Sequence, residues 1–161
     1  MASGIAVTDK VKTLVENMKV VKSSDDSARR LRIATFTIQD EQIDVDRTFS
    51  ECDLDGQDAF QVFKSLLTDK SCFYFLYDCH FETKEGIKKE EMVFGSWVPE
   101  DTVVKLRMKY ASSRSSIKNI MKGTKHDLQM NDPSDFQNRA AFAELLEKNA
   151  PAIKEIEGIA L

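Results

Sequence analysis

Residues 72–81 read CFYFLYDCHF, apolar or aromatic at every position but Asp78 and His80. A half-solvated strand alternates apolar and polar residues, whereas a stretch this continuous needs cover on both faces and belongs at the centre of a sheet with layers packed above and below it. Its longest unbroken apolar run, residues 73–77, falls far short of the ~20 residues a membrane span requires.

The rest of the chain supplies the cover. Thr8 is placed to cap a first helix carrying Val11, Leu14, Val15 and Met18 at helical spacing and ending near Val21. A polar turn at 23–27 leads into a β-type stretch over 31–38. A turn at 39–41 then returns the chain as an antiparallel neighbour over 43–49. After an acidic loop at 52–57, Asp58 opens a second helix with Ala59, Phe60, Val62, Phe63, Leu66 and Leu67 as its apolar positions. A charged hairpin loop at 82–91 joins the central strand to another at 92–98. Pro99 stops strand pairing, Asp101 or Thr102 starts a long helix, and Gly123 marks its end. Residues 126–130 read as a short edge strand, and Ser134 or Asp135 caps a last helix through Leu146. About five strands and four helices, with two hairpins, imply a mixed sheet sandwiched between helices, of α/β or α+β class, and 161 residues fit one domain.

Several chemistries are excluded. No two glycines lie closer than nine positions, so neither a dinucleotide-binding fingerprint nor a P-loop can form. An echo of a calcium loop begins at Glu51, but its twelfth position is Val62, where a bidentate glutamate is needed. Cys79 and His80 point to opposite faces of one strand, as do Cys72 and Cys79, so they cannot share an ion. With His80 and His126 the only histidines, nothing marks a nucleophile and its base. The expectation is a non-enzymatic protein with no cofactor and no metal. Three cysteines without paired spacing, and a start with neither a basic nor an apolar leader, suit a reducing cytoplasm.

Net charge is −4, unevenly spread. Residues 102–126 hold seven basic side chains and no acidic one, leaving 16 basic against 27 acidic elsewhere. On the long helix, Val103, Leu106, Tyr110, Ser113, Ile117, Ile120 and Met121 form the core-facing stripe. The opposite face presents Val104, Met108, Ala111, Ser112, Ser115, Asn119 and Lys122, bordered by Arg107, Arg114 and Lys118 on one side and Lys105 and Lys109 on the other. A plain solvated face is the ordinary alternative, yet such a face mixes acids with bases for i,i+4 support. Here small Ala and Ser side chains beside Met108 let another surface approach while cations flank it, which fits an acidic protein surface with an apolar cleft. Nucleic acid is the poorest partner, since the cations are few and the body is anionic.

Certain segments carry a family resemblance. Met1-Ala-Ser-Gly-Ile-Ala-Val, Tyr77-Asp78 followed by Glu82-Thr-Lys-Glu, Trp97-Val-Pro-Glu100, the run from Lys105 through Met108-Lys-Tyr-Ala-Ser-Ser to Arg114, Ile117-Lys118 and Gly123-Thr-Lys-His-Asp-Leu-Gln129 together resemble the actin-depolymerising factor/cofilin family. The resemblance implies a five-stranded mixed sheet flanked by helices on both faces, in one domain over 1–161 with a flexible N-terminus over 1–6. It also implies a monomer that binds monomeric and filamentous actin and severs and depolymerises filaments.

By the same resemblance, the monomer surface would be Ser3, Gly4, Lys105, Arg107, Met108, Ser112, Arg114 and Ser115. The filament surface would be Lys84, Lys88, Lys89, Arg139 and Glu144. Phosphoinositide head groups would meet Lys105, Arg107, Lys118, Lys125 and His126. Ser3 would be an inhibitory phosphorylation site served by a kinase and a phosphatase. A member that binds actin without severing, or a phosphoinositide-binding domain, are the alternative functions.

Overall fold

The computed structural model describes residues 5–20, 30–121 and 124–161. The expected helix end near Val21, the turn at 23–27 and the stop at Gly123 lie outside the described residues. In chain order the elements are β1 (Ala6–Val7), α1 (Asp9–Val20), β2 (Leu31–Gln39), β3 (Gln42–Ser50), α2 (Glu51–Leu54), α3 (Ala59–Leu66), β4 (Phe73–Thr83) and β5 (Lys88–Trp97). There follow α4 (Val104–Lys118), β6 (His126–Met130), a 3₁₀ turn (Pro133–Asp135), α5 (Arg139–Leu146), β7 (Ile153–Ile156) and β8 (Ile159–Ala160).

The strand order is β1-β3-β2-β4-β5-β6, with β7 joined to β4 and β8 to β7. β4 pairs with β5 from Phe73 to Glu82 along one edge. Its other edge is shared, by β2 over Tyr74–Tyr77 and by β7 over Phe81–Thr83. β1 on β3 and β6 on β5 are parallel, the rest antiparallel, so the sheet is mixed.

Alternation along β4 explains the two layers. Phe73, Phe75, Tyr77, Cys79 and Phe81 face α3 and α5, where Phe63 stacks on Tyr77 at 4.7 Å and meets Phe75 edge-on at 4.9 Å. Tyr74 and Leu76 face α1 and α4 with Val11, Val15, Phe36, Phe94, Tyr110 and Ile117. Each such side chain contributes roughly 1.5–3 kcal/mol by burial, which is why so apolar a strand is held in the middle.

The structure corrects the expectations in several places. The sheet has eight strands among the described residues rather than five, because β1, β7 and β8 are two to four residues long and leave no readable periodicity. Ile5 is buried and Ala6 is paired with Gln42, so the end expected to be flexible over 1–6 is anchored from residue 5. The acidic segment after β3 is a helical turn in which Ser50 and Asp53 form a reciprocal capping box. The charged hairpin is tighter than read, since β4 and β5 stay paired out to Glu82 and Lys88. The last helix begins at Asn138, whose side chain accepts from Ala141 N, because Pro133 first closes a separate 3₁₀ turn capped by Asp132.

A buried charge cluster fastens the C-terminal hairpin. Arg32, 4% exposed, donates from Nε to Asp78 O at 3.1 Å and from its terminal nitrogens to Glu51 at 2.8 Å and Glu157 at 2.5 Å. Glu157 also accepts from the Tyr77 hydroxyl at 2.6 Å, while its backbone N–H donates to His80 O at 2.7 Å. The β7–β8 turn takes left-handed φ values of 54° at Glu157 and 78° at Gly158, which Gly158 adopts freely and Glu157 only because these bonds hold it.

Candidate docking interface

α4 has no side-chain N-cap, and Val103 rather than Asp101 or Thr102 sits at that position. Its second half is fixed by buried Tyr110, Ser113, Ile117 and the following Met121. The Tyr110 hydroxyl accepts from Ile38 N at 3.2 Å, and Tyr74 donates its hydroxyl to Tyr110 O. Burial pushes the Tyr74 phenol well above its ordinary pKa, so it remains a neutral donor.

The first half is different. Val103 and Leu106, assigned above to the core stripe, are 72% and 38% exposed. Periodicity gives them the direction of Tyr110, but the buried positions of α4 begin only at Tyr110. Val104 and Met108 are 63% and 66% exposed, and Lys105, Arg107, Ala111, Ser112 and Ser115 are exposed with them. The result is an apolar end bordered by two cations. Arg107 makes a 3.4 Å contact with Glu100 O, and Lys105 makes no ion pair among the described residues.

Other candidates are placed less simply. Arg114 is turned inward, its side chain 11% exposed: it pairs with Asp127, donates to Ser96 Oγ at 3.3 Å and to Leu128 O at 3.0 Å, and lies 5.0 Å over the Phe94 ring. Its guanidinium braces α4 against β5 and β6 and does not reach outward. Lys118 pairs with Asp127 at 2.8 Å. His126 is fully buried with Nε2 2.8 Å from Glu91 Oε1, and Lys125 Nζ lies 2.9 Å from the other oxygen of the same carboxylate. Burial alone would raise the Glu91 pKa, but the bonds with His126 and Lys125 outweigh it and hold the carboxyl below its usual range. Of the expected head-group cluster, His126 is corrected, being drawn inside by the parallel pairing of β6 with β5, while Lys118 and Lys125 pair with acids and keep side chains 59% and 55% exposed. Lys105 and Arg107 remain open.

On the far side, Lys84 and Lys88 are exposed at the β4–β5 turn, Lys89 is partly covered 3.9 Å from Glu91, and Glu144 is exposed on α5. Arg139 is not available as a contact. It pairs with Asp58, donates to Ile156 O at 3.2 Å and covers the Phe60 ring, clasping α5 to α3 and β7. Ser3 and Gly4 lie outside the described residues.

Sequence reasoning missed Asp127, which holds two of the supposed contact cations. The signal was present, since alternation over His126–Met130 turns Asp127 and Gln129 outward beside α4.

The sequence matches the model for cofilin/tropomyosin-type actin-binding proteins over residues 4–146. The chain belongs to this actin-binding cofilin family. Solved cofilin-like structures share its fold: Plasmodium berghei actin depolymerization factor 2 at TM-score 0.74 and 24% identity, covering 91% of this chain and 99% of that one, and Streptomyces griseoflavus cofilin at 0.70 and 24%, covering 91% and 98%. Human coactosin-like protein is similar at TM-score 0.67 and 16% identity, covering 94% of each chain. The cofilin match ends at residue 146, so β7, β8 and the Glu157 anchor lie beyond it.

Proposed function

We propose that the protein binds monomeric and filamentous actin through α4, severs and depolymerises filaments, and so controls their turnover. The observation that carries this reading is the exposed first half of α4, where Val104 and Met108 stand beside Lys105 and Arg107 on a helix with no acidic residue. Such a surface matches a partner with an apolar cleft and an acidic rim: the apolar side chains supply burial, and the cations steer the encounter. Ser112 and Ser115 continue the same face and keep its relief low.

The filament contact would come from Lys84, Lys88, Lys89 and Glu144. Severing requires no bond chemistry. A ligand preferring an altered filament twist stabilises that twist by its differential affinity, and junctions between altered and unaltered segments become weak. Phosphate on Ser3 would add about −1.5 to −2 charges and oppose docking on an acidic surface. A phosphoinositide head group would engage Lys105 and Arg107 and compete with actin.

A second reading, binding without severing, is favoured by the engagement of Arg139 with Asp58, which removes one cation from the filament surface. Imaging single labelled filaments during addition of the protein separates the two. Fragmentation supports severing, decoration without breaks supports the second reading, and absence of any association refutes both.

A further inference from the structure

Beside the exposed crest of α4 runs a groove of about 330 Å³, bounded on one flank by Val104, Met108 and Ala111 and on the other by Val98, Gln129 and Asn131. We propose that docking is reciprocal: as α4 enters the partner, this groove receives one aliphatic side chain of actin, presented beside a carboxylate that meets Arg107. The inference rests on the actin-docking reading above and names what the partner must offer.

Three features single out this occupant. The groove has an apolar wall of Val98, Val104, Met108 and Ala111 with polar Arg107 and Gln129 beside it, which suits an aliphatic side chain that has a polar or anionic neighbour. Arg114 also lines the groove and is held there over Phe94 by Asp127, Ser96 and Leu128. Arg107 lines the groove and is exposed, and among the described residues it meets only the Glu100 carbonyl at 3.4 Å, leaving most of its guanidinium for a carboxylate. Val104 and Met108 wall the groove and also form the crest, so the two halves of the interface are continuous. A partner touching the crest alone would leave apolar wall in water.

The test fills the groove from the strand side without altering α4. Gln129→Phe and Asn131→Phe are expected to weaken affinity for monomeric actin roughly tenfold or more, because each denies burial to one aliphatic side chain. Thr48→Phe, an added aromatic on exposed β3, is expected to stay within about twofold. The groove is refuted if both groove variants bind as the unaltered protein does, or if Thr48→Phe weakens binding as much as they do. Should the variants fail to fold, methyl NMR of the unaltered protein decides: Met130 and Val98 methyl signals move on adding actin if the groove fills, and their constancy overturns the proposal. Wild-type binding by a Lys105→Glu/Arg107→Glu variant would instead overturn the docking reading itself.

Discussion

Asp127 takes Arg114 out of the docking face, its two carboxylate oxygens receiving both terminal guanidinium nitrogens while Lys118 approaches to 2.8 Å. A residue chosen for its charge on a helical wheel is thereby a brace between α4 and β6. Asp127→Ala is expected to lower stability by about 1.5–3 kcal/mol, the range for hydrogen bonds to charged groups. Urea unfolding measures this, and an unchanged midpoint would show that Arg114 is held by Phe94 and the carbonyls alone.

Acid should loosen the same braces. Burial raises the Asp78, Glu91 and Asp127 carboxyl pKa values, but His80 and Arg30, His126 and Lys125, and Arg114 and Lys118 respectively outweigh it, so all three are depressed in the fold. Depressed carboxylates contribute stability above their unfolded pKa and lose it as pH falls through the folded one, so unfolding free energy should decline from about pH 5 downward. A Glu91→Gln/Asp127→Asn variant should show a shallower decline. An equal slope would assign acid sensitivity to other groups.

Glu157 is the single support of a buried guanidinium from the C-terminal side. Glu157→Ala leaves Arg32 with Glu51 and the Asp78 carbonyl but without its most buried carboxylate, so it is expected to cost about 1–3 kcal/mol. Chemical denaturation followed by the fluorescence of Trp97 reads this directly.

Gly95 lies between Phe75 on β4 and Leu128 on β6. A Cβ there would sit 2.4 Å from the Phe75 ring and 2.8 Å from Leu128 O. Gly95→Ala is expected to destabilise by about 1–3 kcal/mol through overpacking, seen as a lower thermal midpoint.

Ser3→Glu, which adds negative charge to a position that the family resemblance assigns to the actin surface, is expected to weaken actin binding by tenfold or more, since like charges facing each other across an interface cost several kcal/mol. Co-sedimentation and filament disassembly assays measure it, and a variant as active as the unaltered protein removes Ser3 from the regulatory reading.

What the sequence made legible follows from how each element is held. β4 and the hairpin partners β2 and β3 are apolar and long enough to show their period, and they were read to within a few residues. β7 and β8 were invisible because Lys154, Glu155 and Glu157 interrupt them, and their stability comes from partners over seventy positions away. The outward face of α4 at Val104, Met108, Ala111, Ser112 and Ser115 was legible from helical periodicity. The error at Val103 and Leu106 was of a different kind: a helical period reports direction but not which turns of the helix are covered. His126 and Arg139 show the same limit for charge, since a titratable side chain looks alike in sequence whether solvated or clasped to an acid.

α4 is clamped at Tyr110, Ser113, Ile117 and the following Met121 and exposes its N-terminal tip. Substitutions at the tip can retune what the molecule grips without disturbing the hydrophobic layers, and substitutions at the clamp shift the tip without touching its chemistry. Adhesion and architecture are therefore separable along fifteen residues of one helix.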